Sequence, residues 1–265
     1  MPGLRLADVT LHYEIGGNGP PLLLIAGMAS DSASWLPLLP LLEPRFTVIR
    51  PDNRSTGRTT PWEAPTGPAI NAADCAALLA HLGLGPAHVL SHSMGGLIAL
   101  QLGMDAPEAV ASLTLAASAP MRLQRNSAIF RNLVAIRRSD APPDTWLRAL
   151  YPWLFDPAAF DDPAALDAAA AAALVYPHGQ SADAMDHQLR ALDRFDPSGL
   201  RVAHPAQAIL GGRDLLIPEA PARAALAALG DVPVHLIADA GHSIHWDAPH
   251  AVTDHLTMFI DALSG

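Results

Sequence analysis

A single cysteine, Cys75, stands in 265 residues. No disulfide can form within the chain, and a cytoplasmic setting is the default expectation. Half of the residues are hydrophobic, yet no apolar run approaches the ~20 residues needed to cross a bilayer. The opening MPGLRLADVTLHYE lacks the charged-then-apolar order of a secretory signal. Basic residues are few: 16 Lys and Arg stand against 26 Asp and Glu, a net charge of −10. That balance disfavours nucleic acid and anionic membrane as partners. No cluster of His, Cys and carboxylates shows metal-ligand spacing, and no internal repeat is visible, so neither metal nor cofactor is expected. What remains is a chain long enough to bury roughly 75% of its extended surface without staples. It suits one large domain, or one domain carrying an insertion.

Short apolar runs punctuate the chain: PLLLIAG (21–27), RFTVIRPD (45–52), AHVLSHS (87–93), SLTLAAS (112–118), AQAILGG (206–212) and VHLIADA (234–240). Each reads as a strand buried on both faces, the expectation for a parallel sheet. Helical patterns lie between them, at 69–84, 94–107 and 218–230, and end at Gly or Pro. The alternation predicts an α/β fold with a mostly parallel, doubly wound sheet. The opening LRLADVTLHYEIGG alternates more strongly and predicts an antiparallel hairpin at the sheet edge. Residues 120–201 contain no convincing strand and hold more than half of the aromatics. They read as a helical cap inserted into a core formed by residues 1–119 and 202–265. The pairs Asp156-Pro157, Asp162-Pro163 and Asp196-Pro197 mark turns or helix starts within the cap.

The stretch HVLSHSMGG, 88–96, turns directly from an apolar strand pattern into an apolar helix pattern. A serine hydroxyl becomes a useful nucleophile only when a base takes its proton and a substrate carbonyl can reach it. A tight strand-to-helix turn lifts the side chain clear and aims the next backbone N–H at a developing oxyanion. Strand and helix backbones nearly touch at such a turn, so the positions two before and two after the nucleophile must be small. Ser91 and Gly95 satisfy this around Ser93. Centring on Ser91 would place the bulky Val89 at a small position, and that alternative is rejected.

His242 in IADAGHSIHW is the expected base. It follows a strand pattern, with Gly241 giving the loop freedom. His245 is its nearest rival, and His92 is read as facing the wrong way across the turn. A carboxylate must fix the tautomer of the base and stabilise its charged form. Asp214 in LGGRDLLIP lies at the carboxyl end of a strand, where catalytic loops gather in open α/β sheets. Asp239 is its rival, but precedes His242 too closely to lie beside the ring. The chain order is Ser, Asp, His. For the oxyanion, the backbone amide of Met28, just after the first core strand, pairs with that of Met94.

Together the segments AGMASDSASW, RPDNRSTGRT, SHSMGG, GGRDLLIP and AGHSIHWDAP resemble the α/β-hydrolase fold superfamily over nearly the whole chain. Ala26-Gly27 stands where relatives usually carry His-Gly. Ser91 replaces the first glycine of Gly-x-Ser-x-Gly. Asp52 to Thr59 looks like a loop that is structural in most relatives. Within the superfamily, the cap segment YPWLFDPAAF and the GMASDSASW and DNRSTGRT pair look most like small bacterial carboxylic ester hydrolases, enol-lactonases and aglycone methylesterases. The resemblance implies a serine hydrolase that cleaves a small ester or lactone through an acyl-enzyme. Trp35, Trp153 and Phe155 are expected to line an apolar substrate pocket. Cap arginines Arg122, Arg125, Arg131, Arg137 and Arg138 read either as a solvated basic face or as contacts for an anionic substrate. Cofactor-free perhydrolysis of the haloperoxidase type and carbon–carbon bond hydrolysis use the same triad and stay open. A non-catalytic ligand receptor has no need to keep all three residues.

Overall fold

Each of the six apolar runs forms a strand, and the opening hairpin adds two more. In the computed structural model, which describes residues 3–265, these are β1 (Gly3–Arg5), β2 (Thr10–Gly16), β3 (Pro21–Ile25), β4 (Thr47–Pro51), β5 (Ala87–His92), β6 (Val110–Ala116), β7 (Ala206–Gly211) and β8 (Val234–Ile237). They make one eight-stranded sheet in the order β1-β2-β4-β3-β5-β6-β7-β8. β1 pairs antiparallel with β2, and β2 with β4. The remaining pairings are parallel.

The longer helices are α1 (Pro68–Leu82), α2 (Met94–Asp105), α3 (Gln124–Arg137), α4 (Thr145–Leu154), α5 (Pro163–Val175), α6 (Ala182–Arg194), α7 (Glu219–Ala227) and α8 (Pro249–Ser264). α1 starts with Pro68 in its first turn and stops at Gly83, whose φ of 62° is the left-handed cap that glycine favours. α8 and the 3-10 turn Ser32–Leu38 were not read from the sequence, although Val252, Leu256 and Ile260 recur at helical spacing and are buried. Among the described residues no helix is long and apolar enough to cross a membrane.

β3 shows why the strands are apolar throughout. Side chains alternate between the two faces of a sheet. Leu23 and Ile25 enter a core shared with Leu78 of α1, Ile98 of α2 and Leu226 of α7. Leu22 and Leu24 enter the opposite core, with Trp35, Leu38, Leu42 and Val252, Leu256 and Ile260 of α8. Both faces are covered, so the sheet is doubly wound as expected. Between β6 and β7 the chain runs through α3 to α6 and forms no strand. This segment carries small cores of its own, one built on Leu133, Val134, Leu150 and Met185. Its Asp-Pro pairs are helix starts: Asp156, Asp162 and Asp196 accept from the amides of Ala158, Ala164 and Ser198.

The loop after β4 is held by charge. Arg54 donates from Nε to Asp74 at 2.6 Å and from Nη1 to Asp8 at 2.7 Å. The hydrogen bond with Asp74, followed by that with Asp8, holds the guanidinium firmly in its charged form. The Arg54 and Asp74 side chains are each 6% exposed, whereas Asp8 is 45% exposed. Breaking a buried pair leaves an uncompensated charge and costs about 3–5 kcal/mol; losing an exposed partner costs about 1 kcal/mol or less. Arg54→Met is therefore expected to lower the unfolding free energy in urea by about 3 kcal/mol or more, and Asp8→Asn by distinctly less. Equal losses in the two variants would contradict this division.

Candidate active site

β5 ends at His92 and α2 begins at Met94, so Ser93 alone makes the turn. Its backbone takes φ 53° and ψ −119°, a sparsely populated region for a side-chain-bearing residue, at a cost of about 1–3 kcal/mol. A Cβ at Gly95 would lie 2.2 Å from the carbonyl oxygen of Ile25 in β3; the helix starts against the neighbouring strand's backbone and only glycine fits. Ser91 is fully buried, and its hydroxyl donates to the carbonyl of Thr114 at 3.1 Å. Both small positions are thus packing positions, and of Ser91 and Ser93 only Ser93 borders a cavity. The Ser93 amide donates to Ala116 O, and Ser118 Oγ donates to Ser93 O at 2.6 Å.

The structure brings Ser93, His242 and Asp214 together. His242 Nε2 lies 2.9 Å from Ser93 Oγ, and His242 Nδ1 lies 2.8 Å from Asp214 Oδ2. The other Asp214 oxygen accepts from the amides of Leu216 and Ile217, each at 2.8 Å. Burial pushes the Asp214 carboxyl up, but the His242 imidazole and the two amides outweigh it and hold the carboxyl below its ordinary range. Asp214 is therefore an acceptor, Nδ1 of His242 carries the proton, and Nε2 is left to accept from the serine hydroxyl. Asp239 is engaged elsewhere: it is exposed and pairs with Arg213 at 2.7 Å.

Gly241 has a different role from the one expected. Its backbone is not in the left-handed region. A Cβ there would stand 2.7 Å from the carbonyl carbon of Phe155 and 2.8 Å from Leu154 O, so the helical segment's backbone requires the glycine. Further hydrogen bonds join these elements. The Ser243 amide donates to Leu154 O at 2.7 Å, and Asp247 Oδ2 accepts from the amides of Gly241 at 2.8 Å and Asp156 at 3.1 Å.

His92 also departs from its reading. It lies under His242, 6% exposed, and its Nε2 donates to the main-chain carbonyl of His242 at 2.9 Å. Its ring centre is 4.8 Å from that of His242 and 4.5 Å from that of His245. Burial, reinforced by the neighbouring His242, pushes His92 down to about 3. Burial, reinforced by His92 and then His242, holds His245 well below the ordinary imidazole value. His245 is 2% exposed and packs its ring 5.0 Å from that of Trp35. Neither histidine was legible as a support, because the stacking depends on chain segments about 150 residues apart.

Met94 is the first residue of α2, so its amide has no acceptor within the helix. Met28 lies in the loop after β3. Without the His-Gly pair of relatives, this loop is braced from elsewhere. Asn53 Nδ2 donates to Ala26 O at 2.9 Å, and the Ala29 amide, at φ 59°, donates to Gln188 Oε1 of α6 at 3.0 Å. Asp31 accepts from Tyr176 Oη at 2.9 Å, and burial raises its carboxyl above the ordinary range. A cavity of about 930 Å³ opens above Ser93 and His242, with Met28, Met94 and Phe155 on its wall.

Trp35 and Trp153 require correction, since neither borders that cavity. Trp35 is fully buried in the core beneath α8. Trp153 lies beside Arg125, whose guanidinium is 5.8 Å from the indole ring centre. The tryptophans on the wall are Trp146 and Trp246. Among the described residues no group of three or more His, Cys, Asp or Glu has the arrangement to hold a metal ion.

The alpha/beta hydrolase family profile matches residues 22–255, and the chain belongs to that family. It is a hydrolase by that membership. Its sequence is 30% identical over 251 residues to a protein named carbamate hydrolase RutD of Variovorax paradoxus (strain S110), a match covering 92% of this chain and 91% of that one. Against the protein of the same name from Azorhizobium caulinodans the identity is 40% over 115 residues, and the match spans 43% of each chain. The crystal structure of a protein named non-heme bromoperoxidase BpoC from Mycobacterium tuberculosis H37Rv superposes with a TM-score of 0.82 at 26% identity, covering 96% of each chain.

The buried imidazoles set an acid limit. His92 is depressed from 6.5 to about 3 in the fold, so the unfolded chain takes up its proton first. That stabilisation is complete above about 6.5 and is lost as pH falls towards 3. The melting temperature is expected to drop steadily below pH 6.5. His92→Gln, whose amide can still donate to the His242 carbonyl, is expected to flatten the drop. A slope identical to that of the native protein would contradict the assignment.

Proposed function

We propose that the protein is a serine hydrolase cleaving a carboxylic ester or lactone of a small substrate with an apolar body. The observation that carries this reading is the chain of hydrogen bonds from Ser93 Oγ through His242 to Asp214, 2.9 and 2.8 Å long, at the floor of a mainly apolar cavity. His242 takes the Ser93 proton as the oxygen attacks the carbonyl. The amides of Met28 and Met94 hold the oxyanion. His242 then protonates the leaving alcohol, and the acyl group stays on Ser93. Water, deprotonated by the same imidazole, releases the acid and restores the serine. Asp214 remains charged throughout, as its lowered carboxyl value requires. The scheme needs no metal or cofactor. In it, residues 120–201 form the cap that shapes the pocket, and the setting is cytoplasmic.

A second reading draws on the likeness to the bromoperoxidase. Hydrogen peroxide in place of water at the acyl-enzyme yields a peracid and free Ser93, with the same residues in the same roles. The carbamate hydrolase relatives suit the same carbonyl chemistry with a nitrogen leaving group.

A fluorophosphonate probe tests the first reading. Labelling is expected in the native protein and in Ser91→Ala, and is expected to vanish in Ser93→Ala. With p-nitrophenyl butyrate, Asp214→Asn is expected to lower kcat by about 10³–10⁴-fold through the wrong imidazole tautomer. A near-native rate in that variant would place the acid elsewhere.

A further inference from the structure

Arg137 occupies the last turn of α3 and borders the cavity that Ser93 faces. Its side chain is half-buried, and its guanidinium lies 4.2 Å from the centre of the Trp146 ring. One terminal nitrogen donates to the backbone carbonyl of Gln180, and the other approaches Met185 Sδ at 3.5 Å. Neither partner carries charge. Among the described residues no carboxylate forms an ion pair with Arg137. Its neighbours on the helix differ: Arg131 pairs with Asp193, and Arg138 with Asp183 and Asp186. The carboxylates that border the cavity are also committed. Asp31 is bound by Tyr176 and the Ala33 amide, and Asp193 by Ser127 and Arg131.

A charge partly withdrawn from water is unfavourable unless a counter-charge meets it. Burial already works against the charged form of Arg137, yet a guanidinium stays protonated at any physiological pH. Five N–H donors lie in one plane, and the Trp146 ring 4.2 Å away, together with the Gln180 carbonyl, holds the group in place. Two donors are engaged and three remain, in the fork geometry that suits a carboxylate. The surroundings are apolar. Met28, Trp146, Leu150 and Met185 belong to one cluster that runs from the loop beside Ser93 to Arg137. The cavity therefore offers a serine at its floor, an apolar stretch along its wall, and an unpaired cation beyond it.

We propose that Arg137 is a carboxylate-binding subsite, and that the preferred substrate is an ester or lactone whose apolar body carries a carboxylate remote from the scissile bond. The proposal rests on the serine-hydrolase reading above for the reaction, but not for the binding.

Two ester pairs of matched shape test it: 4-nitrophenyl glutarate monoester against 4-nitrophenyl valerate, and 4-carboxyphenyl butyrate against phenyl butyrate. In at least one pair, the anionic-to-neutral ratio of kcat/KM is expected to fall about tenfold or more in Arg137→Met, mainly through KM. It is expected to recover in part in Arg137→Lys, and to stay within twofold of native in Arg138→Met. Calorimetry on Ser93→Ala with the glutarate monoester supplies a readout free of turnover, and binding is expected to be lost when Arg137→Met is added. A ratio and an affinity that both ignore Arg137→Met would overturn the subsite. Hydrolysis of neither pair, with Ser93 unlabelled by fluorophosphonate, would instead overturn the hydrolase reading while an Arg137-dependent affinity upheld the subsite.

Discussion

The carbonyl oxygen of Ile25 lies where a side chain at position 95 would have to be. That single close approach governs the site. It draws the start of α2 against β3, leaves one residue to reverse direction, and forces Ser93 to positive φ. The strain of such a turn persists only where the surroundings over-determine it. Here the surroundings are β3, β5 and β6, whose residues on both faces are almost entirely buried. The parallel sheet is thus the support that keeps a strained serine clear of its own strand.

The helical segment between β6 and β7 does more than cover the cavity. Leu154 and Asp156 hold the His242 loop through Ser243 and Asp247, and Gln188 holds the loop after β3 through the Ala29 amide. Both loops that converge on Ser93 are therefore fixed from above as well as from the sheet below. Arg213 adds a charged tie, bridging Asp156 at 2.8 Å and Asp239 at 2.7 Å one residue before Asp214. Displacing this segment would loosen His242 and the proposed oxyanion loop together.

Much of this was legible in the sequence because local rules dictate it. Strands buried on both faces read as unbroken apolar runs, Asp-Pro pairs read as turns or helix starts, and the small residues around Ser93 follow from the crowding of one turn. The parts that were missed depend on contacts between distant segments. Gly241 is glycine because the backbone at Leu154 and Phe155 presses on it. His92 faces His242 because a loop some 150 residues later folds over it. Trp35 and Trp146 look alike in sequence, yet packing puts one in the core and the other on the cavity wall. α8 was a different omission, since its period of buried Val252, Leu256 and Ile260 was present to be read.

In the proposed mechanism Ser93 Oγ attacks a carbonyl while the amides of Met28 and Met94 receive the charge. A crystal structure of the protein after reaction with a phosphonate ester tests it most directly. Phosphorus is expected bonded to Ser93 Oγ, with a phosphoryl oxygen within hydrogen-bond distance of both amides and the imidazole of His242 beside the leaving-group position. An adduct on another residue, or a phosphoryl oxygen turned away from both methionine amides, would contradict it.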